Sequence, residues 1–317
     1  MARRRPSTPA ELARGVRAGD RRALARALSV VEGGGDEAEQ LVYDLHPDSG
    51  GAYRIGVTGP PGVGKSTLIG ALVKHVRGLG KSVGVVSVDP SSPFSKGALL
   101  GDRIRLSEHF LDPEVFIRSM GTRGHSGGLA EATLEALLVL DAAGRELLFV
   151  ETAGVGQSEV AVTGIADTVV LVLMPGSGDS VQALKAGLME IPDVIALNKS
   201  DHATAAATLA ELRQALSLGG AEGPPIVSTQ ATSGDGVDLL WQAIERHRSE
   251  LEESGGLEQK RRENLRRELL NLAVGRVRRE LERASAADPE LDELIDAVAE
   301  KRLDPLSAVR ELRSRLG

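Results

Sequence analysis

Several short stretches of this sequence hold side chains whose types and spacing suit phosphate and metal chemistry. The first is Gly59-Pro60-Pro61-Gly62-Val63-Gly64-Lys65-Ser66, followed by Thr67. It fits G-x-x-x-x-G-K-[ST]. In that pattern glycines let backbone N–H groups turn toward phosphates, and the N-terminus of the following helix adds partial positive charge. Lys65 is then expected to reach the β- and γ-phosphates, and the Ser66 hydroxyl to ligate Mg²⁺. Two acidic residues could hold the same ion. Asp89 ends an apolar run, and Asp102 lies in a Gly-Asp-Arg turn, where its other reading is a helix N-cap. Mg²⁺ takes near-octahedral oxygen ligands and keeps several waters, so one direct carboxylate suffices.

The second stretch is Asn198-Lys199-Ser200-Asp201, which fits N-K-x-D, the base-reading element of GTPases. The Asp201 carboxylate can accept from guanine N1–H and from the 2-amino group. Adenine offers neither donor, and a site built on such pairing rejects the wrong partner by on the order of 10⁴. Asn198 is expected to tie the loop together and the Lys199 stem to cover the base. Gln230-Ala231-Thr232 follows a later strand and matches the short loop whose backbone N–H meets guanine O6.

Glu151-Thr152-Ala153-Gly154 stands where other GTPases carry the D-x-x-G switch. Glu151 could reach Mg²⁺ through a water, and the Gly154 N–H could touch the γ-phosphate. Ras-like proteins place a water-orienting Gln directly after that Gly. Here Val155 occupies the position, and Gln157 follows two residues later, as a candidate catalytic group or a solvated loop residue.

These motifs need a scaffold that holds loops at the ends of strands. Apolar runs at 53–58, 82–89, 115–118, 146–151, 168–174, 194–198 and 225–228 alternate with helical patterns near 66–79, 128–143, 178–189, 203–216 and 236–254. Continuous Val/Ile/Leu runs separated by helices imply a mostly parallel sheet with helices on both faces. The fold class is therefore α/β of the P-loop NTPase kind, with helical N- and C-terminal extensions. Three regions are expected. Residues 1–50 form a helical extension and linker, 51–256 the nucleotide-binding domain, and 257–317 a helical extension suited to dimerisation. Near-helical apolar spacing over 9–31 breaks at Gly19-Asp20, and the Gly- and acid-rich stretch 33–51 reads as linker. Within it, Asp44-Leu45-His46 is similar to the start of the D-x-H-x-x-G signature of cobalamin-binding domains, but Ser49 replaces the Gly. Leu265, Leu269 and Leu272 form a helical stripe that suits either a dimer contact or packing on the chain's own core.

Composition narrows the function. With four Phe, two Tyr and one Trp in 317 residues, the chain lacks platforms for stacking on single-stranded nucleic acid. A net charge of −7 disfavours nucleic-acid or anionic-membrane binding. The chain has no cysteine, which excludes disulfides, thiolate metal sites and Cys nucleophiles. The basic start has no apolar run after it, and a cytoplasmic protein is expected.

Taken in order, the motifs resemble the methylmalonyl-CoA mutase-associated GTPases of the MeaB/ArgK type, which belong to the SIMIBI class. The matching blocks are Gly59 to Thr67, Val88-Asp-Pro-Ser-Ser-Pro93, Leu100-Gly-Asp-Arg103, Glu151-Thr-Ala-Gly-Val-Gly-Gln-Ser-Glu159, Pro175-Gly-Ser-Gly-Asp179 and Asn198 to Asp201. Glu-Thr-x-Gly-Val-Gly-Gln-Ser-Glu is far more specific than the phosphate loop alone. The resemblance implies a homodimeric G protein that binds GTP or GDP with Mg²⁺. It would gate adenosylcobalamin loading into an acyl-CoA mutase and protect that mutase. It also implies an extra switch after Pro175-Gly176 containing Asp179, Gln182 and Lys185. Lys185 would be a cation near the γ-phosphate; its other reading is a solvated helix lysine. Metal-inserting relatives use Cys and His ligands, which zero cysteine disfavours. A nucleotide-switched scaffold with another client is the remaining alternative.

Overall fold

The computed structural model describes residues 8–89, 106–121, 128–152, 162–176, 192–217, 223–285 and 289–316. Its centre is a seven-stranded sheet in which every pairing is parallel. The strands are β1 Tyr53–Thr58, β2 Val83–Asp89, β3 Val115–Gly121, β4 Leu147–Thr152, β5 Thr168–Leu173, β6 Val194–Leu197 and β7 Ile226–Ser228. They lie in the order β3-β2-β4-β1-β5-β6-β7. All seven apolar runs became strands; β1, β4, β5 and β6 are buried along nearly their whole length, where a strand covered on both faces needs no polar alternation, while β7 is a half-exposed edge.

The helices are α1 Pro9–Arg17, α2 Arg21–Gly33, α3 Asp36–Leu45, α4 Lys65–Gly78, α5 Gly128–Ala142, α6 Ala205–Ser217, α7 Val237–Glu253, α8 Gly256–Ser285, α9 Pro289–Ala299 and α10 Pro305–Leu316. One face of the sheet is covered by α1, α2, α3 and α5, with Leu12, Leu28, Leu41 and Leu137 packed against Val86, Leu148 and Val150. On the opposite face α4 and α7 bury Leu68, Leu72, Leu240 and Ile244 against Ile55, Val57, Val85 and Phe149. A smaller cluster packs Leu212 of α6 onto Leu171, Leu173, Ile195 and Leu197. The helix expected over 178–189 lies outside the described residues.

The N-terminal break falls where the sequence put it. Thr8 and Glu11 form a reciprocal capping box at the start of α1, and Asp20 caps α2 through the Arg22 N–H. The stretch 33–51 is a correction, since it is not a plain linker. It contains α3 and a 3₁₀ turn at His46–Asp48. Only Gly34 and Gly35 form the turn, at φ of 68° and 88°. The acids Asp36, Glu37 and Glu39 sit in the first turn of α3, where they complement the helix dipole. Ala38, Leu41 and Leu45 are its buried stripe. Asp44 and His46 are part of this helix and turn, and the Arg17 guanidinium donates to the Asp44 carbonyl and to the Asp48 carboxylate.

The entry to β1 is held from two sides. Asp141 of α5 accepts from the backbone N–H groups of Gly50, Gly51 and Ala52 at 2.7, 3.2 and 3.1 Å. Arg261 of α8 donates to the Gly50 and Ala52 carbonyls, both at 2.9 Å, and to both oxygens of Asp167 at 2.9 and 2.7 Å. The first turns of α8 thus pack with the sheet. The chain divides into two compact units, Met1–Leu265 and Arg266–Gly317. In the second unit α9 and α10 contact each other, while Leu269, Val274, Ile295 and Leu306 remain exposed.

Candidate functional site: a phosphate loop joined to a base loop

β1 occupies the middle of the sheet, with β4 on one side and β5 on the other, and its C-terminal end opens into the Gly59–Ser66 loop. Ligands of open α/β sheets bind in such a crevice outside the carboxyl ends of the strands. Gly59 is required here. Its φ is 138°, and a Cβ would lie 2.1 Å from the Val172 carbonyl oxygen on β5. Gly64 has φ of 94°, and a Cβ there would lie 2.6 Å from Asn198 Nδ2. Gly64 is also the N-cap of α4 and supplies no side-chain acceptor. The first amides of α4 are thereby left to an external anion.

Lys65 begins α4 and is buried, with Nζ donating to the carbonyl oxygens of Gly59 at 2.8 Å and Pro60 at 3.0 Å. These are contacts to its own loop, and a phosphate within reach of the same ammonium would compete for it. Ser66 is buried next to Glu151 of β4, and its hydroxyl donates to Glu151 Oε1 at 2.6 Å. The structure therefore brings together two of the expected metal-binding residues. Their donors are hard oxygens, which fit Mg²⁺. Ser87 of β2 donates to the other carboxylate oxygen, Glu151 Oε2, at 3.1 Å. Asp89 closes β2 two residues later, but only its backbone is described. Asp102, Gly154, Gln157 and Lys185 lie outside the described residues, as do Asp179 and Gln182.

The base loop is built on β6. Asn198 is buried and bonds in three directions. Its Nδ2 donates to the Val63 carbonyl at 2.9 Å, and its Oδ1 accepts from the Ala231 N–H at 3.1 Å and the Thr229 hydroxyl at 3.3 Å. One side chain thus joins the phosphate loop, N-K-x-D and the Gln230-Ala231-Thr232 loop. Lys199 takes a left-handed conformation, φ 57°, and its Nζ donates to the Gly62 carbonyl at 2.8 Å, so its stem bridges the two loops. Asp201 is exposed and bonds to no described residue, so its carboxylate is available to a ligand. The third loop is closed by an isolated antiparallel bridge between Gln230 and Asp235. Gln230, Ala231 and Thr232 follow β7 in the expected place.

Ser87 is a group at this carboxylate that the motifs did not point to. Its signal was a hydroxyl inside Val83-Gly-Val-Val-Ser-Val-Asp89, an otherwise apolar run.

The profile of the methylmalonyl-CoA mutase-associated GTPase MeaB matches residues 24–286. The chain belongs to this family. It is a GTPase, and GTP and GDP are its ligands. It is 49% identical over 304 residues to a protein of Pyrococcus abyssi assigned as a GTPase, covering 94% of both chains. It is 36% identical over 268 residues to the GTPase ArgK of Escherichia coli, covering 81% of both. Among solved structures it is similar to a LAO/AO transport system kinase, with a TM-score of 0.71, 27% identity and coverage of 99% of both chains. These matches agree with the parallel sheet and the loop order. No helix among the described residues is long and apolar enough to cross a membrane.

Proposed function

We propose that this MeaB-family GTPase is the nucleotide-gated chaperone of an adenosylcobalamin-dependent acyl-CoA mutase, methylmalonyl-CoA mutase or a relative. In this reading it gates cofactor loading and protects the mutase from inactivation. The observation that carries it is the family match over residues 24–286, which spans the whole nucleotide-binding sheet and all of α8. Mg²⁺ is the cation in this reading, held by Ser66 with Glu151, Asp89 or Asp102 contributing. It supplies Lewis-acid neutralisation of phosphate charge when bound. Lys65 binds the phosphates, Asn198 and Lys199 hold the base loop in place, and Asp201 selects guanine. Gln157 and Lys185 are the residues proposed to act at the γ-phosphate when a mutase is bound.

A homodimer is part of the proposal. Leu265, Leu269, Leu270, Val274 and Val277 are exposed along α8, a single helix that otherwise carries many charges. Exposed apolar side chains in this number suit association with a second copy.

The experiment is a pull-down of a candidate mutase with GDP and with a non-hydrolysable GTP analogue, paired with GTP turnover in its presence and absence. Nucleotide-dependent capture and accelerated turnover are expected. Equal capture in both states, with an unchanged rate, would remove the mutase as client and leave a GTPase with another partner.

A further inference from the structure

Ser87 sits where packing alone favours an apolar residue. On β2 the side chains facing α4 are Val83, Val85 and then Ser87, all buried. Valine suits that pleated position better than serine. Burying a hydroxyl without a partner is unfavourable. The register of the sheet explains the exception, because Ser87 pairs with Glu151 on β4. Its hydroxyl donates to Glu151 Oε2 at 3.1 Å, while Ser66 on α4 donates to Glu151 Oε1 at 2.6 Å. The carboxylate is therefore gripped from the sheet by one serine and from the helix by the other.

This grip bears on Ser66. A hydroxyl has one proton and two lone pairs. With its proton directed to Glu151, the Ser66 oxygen presents its lone pairs elsewhere. Glu151 has one more rotatable bond than the aspartate common at this place in other GTPases. An unrestrained glutamate would spread that proton-accepting position over several rotamers. We propose that Ser87 is a positioning residue for the metal. It fixes the Glu151 carboxylate so that the Ser66 oxygen, and Glu151 itself, face the cation in one arrangement. This rests on the reading that Ser66 and Glu151 share the Mg²⁺ that accompanies the nucleotide.

The test compares Ser87→Thr with Ser87→Val in the full chain. The two replacements have nearly the same shape and differ in the hydroxyl. The dissociation constant of a fluorescent GDP analogue is measured with excess Mg²⁺ and with EDTA, and the ratio of the two reports the metal's contribution. Outer hydrogen-bond partners of a metal site commonly set affinity by about ten- to a hundredfold. Ser87→Thr should keep the parent ratio. Ser87→Val should reduce it by about ten- to a hundredfold, with the EDTA value unchanged. A parent-like ratio in Ser87→Val, or an equal loss with and without Mg²⁺, would overturn the role. If the parent itself binds equally well in both conditions, the metal reading fails first. Should Ser87→Val not fold, Ser87→Ala takes its place and the same ratios decide.

Discussion

The side-chain amide of Asn198 donates to the carbonyl oxygen of Val63 across 2.9 Å, although 135 residues separate the two in sequence. Through it the proposed base loop is tied directly to the proposed phosphate loop. Nucleotide affinity then depends on a residue that need not touch the nucleotide.

Asn198→Ala removes three hydrogen bonds from a buried position. At about 1 kcal/mol each, partly recovered by relaxation, GDP binding should weaken by about 2 kcal/mol, roughly thirtyfold in Kd. Calorimetric titration measures this. A Kd within a factor of two of the parent would show that the loops are held together by other means.

Asp201→Asn should exchange guanine for xanthine preference, because the amide presents a donor where the carboxylate accepted hydrogen bonds. Discrimination on the order of 10⁴ is at stake. Competition between GTP, ATP and XTP for the parent and the variant reads it. Equal affinity of the parent for ATP and GTP would remove Asp201 from base recognition.

Lys65→Ala should leave the fold intact. Its ammonium donates to the Gly59 and Pro60 carbonyls of its own loop, and Lys65 is not part of the hydrophobic clusters that hold the sheet. GTP turnover should fall by at least about a hundredfold, as when a positioned charge stabiliser is lost. Turnover equal to the parent would contradict the phosphate role.

Asp193 joins three elements at the other end of the sheet. It accepts from the Val169 N–H at 2.8 Å, pairs with His247 of α7 at 3.2 Å and receives Lys260 of α8 at 2.9 Å. Burial raises its pKa, but the His247 bond and the Lys260 charge outweigh it and hold the carboxyl below its ordinary value. A depressed folded pKa contributes stability that is present above the unfolded value of 3.8 and lost as pH falls through the folded one. Asp193→Asn should therefore be less stable by about 1–3 kcal/mol near neutral pH and melt lower. The gap should narrow as pH falls below the unfolded value of 3.8 and close once it passes the lower folded value. Melting curves of both proteins across that range decide it; a gap that persists in acid would mean packing, not charge, is responsible.

The proposed dimer is tested by truncation after Leu265. A cut at Gly256 would also remove Arg261, which holds Asp167 and the entry to β1, and so would damage the nucleotide-binding unit. The shorter cut keeps unit Met1–Leu265 whole. A monomer by sedimentation, with GDP binding retained, is the expected result. A dimer after this truncation would place the interface within Met1–Leu265.

The sequence by itself determined the strands, the loop order and the chemistry of the two nucleotide motifs. Those are local facts. Uninterrupted apolar runs leave a buried parallel strand few alternatives, and Gly-Lys-Ser or Asn-Lys-x-Asp carries its function in adjacent residues. Acid content misled over 33–51, because composition does not show that Asp36, Glu37 and Glu39 fall in the first turn of a helix whose stripe is Ala38, Leu41 and Leu45. Only the tertiary structure decided which distant groups meet. Strand register set Ser87 beside Glu151, and the packing of α4 on that face brought Ser66 to the same carboxylate. The fold likewise carried Arg261 from the far end of the chain to Asp167 and the start of β1. Such pairings depend on the order in which strands assemble and on one-residue alternation between faces, and neither is encoded in any short stretch of sequence.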